Sequence, residues 1–338
     1  KGKTKMKNTL TKKQVSSNKI LQEIIEQMFN PDNVKNEYVK PWDASKFHLQ
    51  GHRNPVTGTI YSGSNAFFLA YQQNKKNYDS FLWVTFPNMV KLFGMDTTKK
   101  IIKGEKYSNV FFYSRTMYEK KKDNEVIRDD NGNVVMGFSQ MYKYYNVMNF
   151  SQLVGKDKDA DIIIEKIESK YKPKNDLPEI PLTDIEIAME KGLKLSNGIQ
   201  RKQVDQACYS PSFDSITLPV KGAFKSVEHD MSTFFHECSH ATGHKSRLNR
   251  DLSGSFGGSA YAFEELIAEF SSSLLDNYFN IKCSEVSLNH VSYLNSWYKG
   301  LKKDPTKLIS ACSKAEKAFN FLVEVTEKEL NNMNKKVA

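Results

Sequence analysis

The sequence has few cysteines and no long apolar run. Its 338 residues include four cysteines, none of them in a CxxC pair. A disulfide-stabilised secreted scaffold is therefore excluded, and reduced thiols in a cytoplasmic protein are expected. No stretch of 18 or more apolar residues occurs, so the sequence predicts no transmembrane helix and no membrane partner. The basic residues 1–14 lack the apolar core of a secretory signal, and none is expected.

The positive charge is concentrated in one half of the chain. Residues 1–150 contain 24 Lys and Arg against 13 Asp and Glu, whereas residues 151–338 contain 25 against 26. The whole excess of the formal net charge of +10 therefore lies in the N-terminal half. Because a local positive field attracts polyanions, this half is the candidate for binding nucleic acid.

The pattern of apolar residues and turns predicts two domains of the α+β class. Residues 1–155 are predicted to form a mixed α/β domain, residues 156–181 a linker or domain edge, and residues 182–338 a mainly helical domain with a small sheet. Helices are predicted at Val15–Phe29, Asn65–Gln73, Thr183–Gly192 (opened by a Thr183–Glu186 capping box), Val227–Ala241, Tyr261–Tyr278 and Lys307–Leu330. Strands are predicted at Phe81–Phe86, Val110–Tyr118, Met141–Phe150 and Ser215–Leu218, with a hairpin turn at Asn131-Gly132.

An HExxH motif lies inside one of these helices, at His236, Glu237 and His240. Residues four apart share a helix face, so both imidazoles can reach one ion, for which Zn²⁺ is expected. Glu237 lies beside them, where it can take a proton from water. The alternative is a surface helix with two unrelated histidines. The longer HExxHxxGxxH pattern is excluded because position 246 is Ser246.

A third ligand is sought on the next predicted helix, Tyr261–Tyr278. Glu265 and Glu269 are four residues apart on an apolar stripe, so they face the same way. This resembles the gluzincin arrangement, which implies that Glu265 binds the metal and that Glu269 orients a ligating histidine. The alternative is an unrelated buried polar pair, which is less favourable because unpaired buried charge is costly.

Basic residues alternate with aromatic residues through the N-terminal half. Single-stranded DNA is held by this combination, because cations contact phosphates and aromatic rings stack on bases. The candidates for these contacts are Arg53, Lys103 and Lys106 together with Tyr61, Trp83 and Phe112. For these three aromatic residues a place in the core is an equal alternative. Phe67, Phe68, Phe81 and Phe111 are expected in the core.

Short motifs along most of the chain match one known family. They are Arg53–Gly58 with Tyr61, Gly63 and Asn65, then Trp83–Phe86, Lys103–Lys106, Tyr145–Asn149 with Gln152, Ala207–Tyr209 with Asp214, Ile216, Leu218 and Pro219, His236–Leu252, Tyr261–Leu266 with Ala268 and Glu269, and Ser292–Tyr293 with Trp297 and Leu301. In these residues the chain resembles the ArdC-type antirestriction proteins of conjugative plasmids, which are related to the N-terminal part of plasmid-transfer primases.

This resemblance implies a single-stranded-DNA-binding N-terminal domain and a zincin-like C-terminal domain. It also implies a role in protecting incoming plasmid or phage DNA from restriction. It adds Asn54 and Asn65 to the DNA-binding candidates. Cys238 departs from the aliphatic residue usual at its position and is expected to affect packing more than metal binding.

Three functions are consistent with these sequence features. The leading one is a DNA-associated zinc peptidase that cleaves DNA-bound proteins. The second is a DNA-coating protein whose zinc site is structural or vestigial. Glu237 favours the enzyme, because a structural site needs no general base. A metal-dependent nuclease is disfavoured, because such sites usually hold two metals in carboxylate clusters.

Overall fold

The computed structural model describes residues 12–31, 51–122, 125–171, 180–254, 258–281 and 288–337. Its architecture is α+β with two domains, as predicted. Most of the predicted linker Lys172–Pro181 lies outside the described residues, as does Cys283. The other three cysteines are free thiols, one exposed and two buried.

In the described part of the N-terminal half, five α-helices surround an antiparallel sheet. Its elements are α1 (Lys12–Phe29), α2 (Ser64–Lys76), β1 (Trp83–Thr85), α3 (Phe86–Phe93), α4 (Met95–Ile101), β2 (Ser108–Glu119), β3 (Lys121–Lys122), β4 (Glu125–Val126), β5 (Met136–Asn149) and α5 (Lys158–Ser169). The predicted helices and strands of this half are confirmed. Phe81–Phe86 was predicted too long, because Pro87 suits a first helical turn and α3 starts at Phe86. The predicted Met141–Phe150 begins five residues after the start of β5 and ends one residue beyond it.

The sheet continues into a long two-stranded hairpin. The strand order is β1-β5-β2, and β1 reaches only the end of β5, where Thr85 pairs with Val147. From Asn109↔Asn146 to Glu119↔Met136 the hairpin consists of β2 and β5 alone. Near its tip the chain reverses at Gly132, whose φ of 80° lies in the left-handed region, so the predicted turn is confirmed.

Part of the segment predicted as a linker or domain edge is helical. Asp157 caps α5 by accepting hydrogen bonds from the backbone N–H groups of Asp159 and Ala160. Ala160 and Ile164 are buried in a cluster with Phe81, Leu82, Val84 and Met148. This stretch therefore belongs to the N-terminal core. It was not predicted as a helix because charged residues lie between its apolar positions.

The C-terminal half is mainly helical, as predicted. Its elements are α6 (Leu182–Leu193), β6 (Ile199–Lys202), β7 (Cys208–Ser210), β8 (Ser215–Pro219), α7 (Val227–Ala241), α8 (Ser259–Tyr278), α9 (Leu288–Lys303) and α10 (Thr306–Val337). The small sheet has the order β6-β8-β7, so β7 is an edge strand. The predicted Thr183–Glu186 capping box is wrong, because the helix begins after Pro181 without a side-chain cap. Glu186 instead accepts hydrogen bonds from Arg201 and Lys221.

The two halves share one hydrophobic cluster. From the N-terminal half it contains Leu21, Ile25, Phe67 and Phe111, and from the C-terminal half Leu266, Phe270, Trp297 and Ala311. The rings of Phe67 on α2 and Phe270 on α8 lie 4.5 Å apart. The backbone N–H of Gly63 also donates to Glu316 Oε1 of α10 at 2.9 Å. Among the described residues no helix is long and apolar enough to cross a membrane.

Candidate metal centre

Helix α7 brings the two histidines of the motif together. Ser226 caps its N-terminus by accepting from the backbone N–H of His229. Its buried side, which includes Phe234, Phe235 and Cys238, packs in the C-terminal core. His236 and His240 project one turn apart, with their Nε2 atoms 3.1 Å from each other. The helix thus presents two imidazole nitrogens to one point, while Cys238 lies in the core.

Helix α8 adds a carboxylate to this pair. Glu265 Oε1 lies 3.3 Å from His240 Nε2, and Oε2 lies 3.6 Å from His236 Nε2. Tetrahedral ligands at bond lengths of about 2.0–2.2 Å are about 3.3–3.6 Å apart. The two distances to the Glu265 oxygens fall within this range and the distance between the imidazole nitrogens, 3.1 Å, lies just below it, so the three groups are close enough to bind one ion. Within the described part of the chain, these residues form the one group of His, Cys, Asp or Glu close enough to share an ion.

The electrostatics of the group favour a positive charge at its centre. Burial lowers the pKa of His240, but the carboxylates of Glu264 and Glu265 outweigh burial and raise it to about 9. Burial raises the pKa of Glu265, but His236 and His240 hold it well below its usual range. A site that stabilises imidazolium in this way also suits a cation bound by neutral imidazoles.

Each histidine also has a carboxylate behind it. Glu269 Oε2 lies 3.6 Å from His236 Nδ1, the nitrogen that faces away from the triangle. Glu264 Oε1 lies 3.5 Å from His240 Nδ1 in the corresponding position. Carboxylates placed in this way orient metal-ligating histidines. Glu269 was predicted for this role, whereas the role of Glu264 was missed because its spacing from the histidines gives no signal in the sequence.

Glu237 lies on the same helix, buried next to the triangle. Its pKa is raised by burial, an effect that the imidazoles of His236 and His240 partly oppose. The nearby backbone N–H of Tyr209, in the edge strand β7, also acts to lower this pKa. A carboxylate with a raised pKa is better suited to exchange protons near neutral pH than an exposed one.

A buried ion pair between Arg247 and Asp214 fixes the loop after α7. Arg247 donates to the Asp214 carboxylate and to the backbone carbonyl of Ala241. Asp214 also accepts from the Tyr209 hydroxyl at 2.8 Å. The pair therefore connects the end of α7 to β7, the strand that contains Tyr209. These residues belong to the motifs in which the chain resembles the ArdC-type proteins, but no role could be predicted for them from the sequence.

The structure corrects the prediction for Trp83. Its side chain is fully buried, with 0% of its surface exposed, and it packs with Leu69, Val110 and Val147. Its indole Nε1 donates to His52 Nδ1 at 3.1 Å. A ring enclosed in this way cannot stack on a base. The core alternative therefore holds for Trp83, as it does for Phe67, Phe68, Phe81 and Phe111, which are buried as predicted.

Asn54 and Asn65 also make internal contacts. Asn54 Oδ1 accepts from the backbone N–H groups of Val56 and Thr57 and so stabilises the turn in which it lies. The Asn65 Nδ2 donates to the carbonyl oxygen of Phe111 at 2.7 Å, and the Asn65 Oδ1 accepts from the backbone N–H of Phe111 at 2.6 Å. These side chains position the chain, and their amides are already engaged.

The remaining DNA-binding candidates fall into two groups. Tyr61 is half-buried against the Trp83 cluster, and the Arg53 guanidinium lies 5.0 Å from the centre of the Tyr171 ring. Lys103 and Lys106 are exposed in the loop before β2, and Phe112 on β2 is 55% exposed. Only the second group is free to meet a large ligand.

Phe112 lies on an exposed face of the hairpin that the sequence did not predict. It pairs directly with Lys143, and Val110 pairs with Tyr145. Side chains two residues apart on a strand and their cross-strand partners share a face, so Phe112, Lys143 and Tyr145 lie together. Tyr145 is 50% exposed. We call these three residues the hairpin platform; a lysine on the same face as two exposed aromatic residues suits a nucleic acid strand.

Both halves match described protein families. Residues 15–148 match the N-terminal domain of anti-restriction factor ArdC, and residues 188–314 match a zincin-like metallopeptidase. The crystal structure of the antirestriction ArdC protein from plasmid R388, in its metal-free form, has a TM-score of 0.62 and 25% identity. The similarity covers 91% of this chain and 98% of that one. The chain is of the ArdC type.

Other relatives of this ArdC-type chain include a much longer protein and one of similar length. DNA primase TraC of Escherichia coli is 30% identical over 298 residues, which are 86% of this chain but 26% of the primase. The chain thus spans about a quarter of the length of that relative. An uncharacterized protein y4eC of Sinorhizobium fredii is 27% identical over 85% of each chain. A second structure of the R388 ArdC protein, bound to Mn(II), shows the same fold, with a TM-score of 0.62 and 24% identity.

Proposed function

We propose that this ArdC-type chain is an antirestriction protein that binds single-stranded DNA and carries a zinc metallopeptidase site. The observation that carries the peptidase assignment is the convergence of His236, His240 and Glu265 on one point, with Glu237 buried beside them. A general base next to an open metal position is what hydrolysis requires and what a closed structural site lacks.

His236, His240 and Glu265 would hold the ion. When bound, it would supply Lewis-acid polarisation of water and of the scissile carbonyl. The Glu237 carboxylate would accept a proton from the attacking water and return it to the leaving amine. Burial raises the pKa of this carboxylate, which favours its uptake of a proton.

Zinc is the ion that the ligand types favour. Two imidazoles and one carboxylate form one of the ligand sets of catalytic zinc sites. A nitrogen-rich site also binds zinc more tightly than manganese, since affinities rise from Mn²⁺ toward Cu²⁺ and Zn²⁺. The Mn(II)-bound structure of the R388 ArdC protein is consistent with a divalent cation in that relative.

The hairpin platform, with Lys103 and Lys106, is the proposed surface for single-stranded DNA. Phe112 and Tyr145 supply exposed rings for base stacking, and the lysines supply charge for phosphates. The charge excess of the N-terminal half supports this assignment, as does the ArdC family match of residues 15–148. Protection of incoming DNA would follow from coating it, from cleaving proteins bound to it, or from both.

A second candidate function is DNA coating with a structural metal site. The observation that favours it is burial, because only 7% of Glu237 is exposed and the two histidine side chains are 18% and 12% exposed. A substrate would have to reach side chains that are largely buried. The two candidates differ in one property, the cleavage of protein.

The test compares wild type with Glu237→Gln, using casein and histones as substrates, with and without a single-stranded oligonucleotide. The proposal expects cleavage by the zinc-loaded wild type. It expects none by Glu237→Gln at equal zinc content, because the amide cannot accept a proton. Absence of cleavage by wild type with every substrate, including its own chain, would favour the structural site. Equal cleavage by both forms would refute the role of Glu237.

A further inference from the structure

A buried ion pair lies directly behind His240. Arg250 Nη2 is 2.5 Å from Glu264 Oε1, and Arg250 Nε is 3.0 Å from Glu264 Oε2. The same Glu264 Oε1 lies 3.5 Å from His240 Nδ1. The side chains of Arg250 and Glu264 are only 5% and 10% exposed. A guanidinium, a carboxylate and an imidazole therefore form a continuous chain that ends at the candidate metal centre.

Arg250 is itself fixed to the end of α7. Its Nη1 donates to Thr242 Oγ1 at 2.6 Å, and its Nη2 donates to the backbone carbonyl of Ser239 at 2.8 Å. Its backbone N–H donates to the carbonyl of Gly243 at 2.8 Å. A planar fork with several fixed partners has little freedom to rotate. The position of the Glu264 carboxylate is thus set by the last turn of the helix that carries both histidines.

The lack of a side chain at Gly243 makes room for this arrangement. A Cβ atom there would lie 3.0 Å from Arg250 Nη2, 3.0 Å from the carbonyl oxygen of His240 and 2.9 Å from Leu252 Cδ2. All three distances are at or below the lower limit of normal contacts, and one of the atoms is backbone. The turn after α7 is therefore shaped around the guanidinium.

We propose that Arg250 and Glu264 are positioning residues for the metal centre. Glu264 would hold the His240 ring with Nε2 toward the ion, and Arg250 would hold Glu264 in that position. Glu264 precedes the proposed ligand Glu265, so two carboxylates lie close to one cation. By engaging both oxygens of Glu264, Arg250 would prevent this residue from turning toward the ion and competing with Glu265. The inference rests on the metal site of the proposed function.

A purely structural role predicts a different result. An ion pair that only ties the loop to α8 would affect stability without affecting the ion specifically. The chain offers a matched control in Glu186, which pairs with Arg201 at 2.7 Å, while Arg201 also pairs with Asp230 of α7 at 2.9 Å. Through the two contacts of Arg201, this pair too connects α7 to a neighbouring helix, α6. The structure gives it no contact with either histidine.

The experiment measures the Zn²⁺ affinity of the full chain by competition with a chromophoric chelator. Glu264→Gln and Arg250→Lys are compared with wild type and with Glu186→Gln, and the visible absorption of the Co²⁺ form reports ligand geometry. Removal of a residue behind a metal-ligating histidine typically lowers affinity about 10–100-fold. We expect that loss and a changed Co²⁺ spectrum in Glu264→Gln and Arg250→Lys, with Glu186→Gln unchanged in both.

The outcomes separate this inference from the proposed function. Wild type that binds no stoichiometric zinc would refute the metal site itself. Wild-type affinity and spectrum in Glu264→Gln would overturn the inference while leaving the site intact. If zinc affinity fell equally in all three variants, in proportion to the decrease in their melting temperatures, the Arg250–Glu264 pair would have a structural role only. Should Arg250→Lys fail to fold, Glu264→Gln decides alone, because the amide keeps the shape of the carboxylate and can still accept from Arg250.

Discussion

At the scale of single residues, spacing predicted the centre of the site but not its surroundings. His236, His240 and Glu265 could be selected because helical periodicity fixes which residues share a face. Glu264 and Arg250 could not be selected in this way, because their contact with each other depends on the path of the chain after α7, which residue spacing does not show. Trp83 was misjudged for a related reason. Alternating basic and aromatic residues show composition, but they do not show which side of a strand packs inward.

The contrast between Phe112 and Trp83 is directly testable. Phe112→Ala removes an exposed ring, so we expect a loss of about 1–3 kcal/mol in affinity for a single-stranded oligonucleotide and an unchanged melting temperature. Trp83→Ala removes a fully buried ring, so we expect a loss of about 3–5 kcal/mol in stability. Fluorescence anisotropy and thermal melts of the full chain measure both. Unchanged DNA affinity in Phe112→Ala would remove the hairpin platform from the binding surface.

The Asp214–Arg247 pair predicts a pH dependence of stability. Burial raises the pKa of Asp214, but the hydrogen bonds from Arg247 and Tyr209 dominate and hold it well below its usual range. A lowered pKa means that the stabilisation is fully present above the ordinary Asp pKa of about 3.9 and is lost as pH falls below it. Asp214→Asn should lose about 3–5 kcal/mol at neutral pH, because it leaves Arg247 buried without a counter-ion.

Urea denaturation at a series of pH values tests this prediction. Between neutral pH and the acid range, the stability of Asp214→Asn should decline less steeply than that of wild type. Parallel stability curves for the two proteins would show that Asp214 does not carry the acid sensitivity.

At the scale of elements, long periodic segments were predicted well and short ones less well. The bounds of α7 were predicted in full, whereas α5 and α9 were not predicted. Helix α9 does bury Leu294, Trp297 and Leu301 at helical spacing, but charged and polar residues between them weaken the pattern. The hairpin strands were predicted, but their extension beyond β1 depends on pairing that a sequence does not specify.

The loop between α4 and β2 supplies the next prediction. Glu105 accepts from Gln152 at 3.1 Å and pairs with Lys156, which fixes the loop while Lys103 and Lys106 stay exposed. If both lysines contact phosphates, the log–log slope of affinity against salt should become shallower by about 0.7 for each lysine removed. Lys103→Ala and Lys106→Ala are compared with Lys328→Ala of the C-terminal half. Equal slopes in all three variants would exclude the loop from DNA contact.

At the scale of the whole molecule, the shared hydrophobic cluster matters most. It joins α1, α2 and β2 to α8, α9 and α10. Separating the halves would expose this apolar surface to water, at a cost proportional to its area. The two domains that the sequence divides by charge are therefore expected to behave as one cooperative unit. Family matches of separate segments do not reveal such a shared core.

Calorimetry of the full chain tests this cooperativity. We expect one unfolding transition that moves upward as a whole when zinc is added, by about 2.7 kcal/mol of stability at a free zinc concentration 100 times the dissociation constant. Phe67→Ala, on α2, should lower the same single transition. Two separate transitions, of which zinc moves only one, would show that the halves fold independently.

The central claim is that His236, His240 and Glu265 hold one zinc ion. The most direct measurement is an anomalous difference map, recorded at the zinc absorption edge from crystals of the zinc-loaded full chain. We expect a single strong peak about 2.0–2.2 Å from His236 Nε2, His240 Nε2 and a carboxylate oxygen of Glu265. A peak elsewhere, or one bound by Glu264 or Glu269 in place of Glu265, would contradict it.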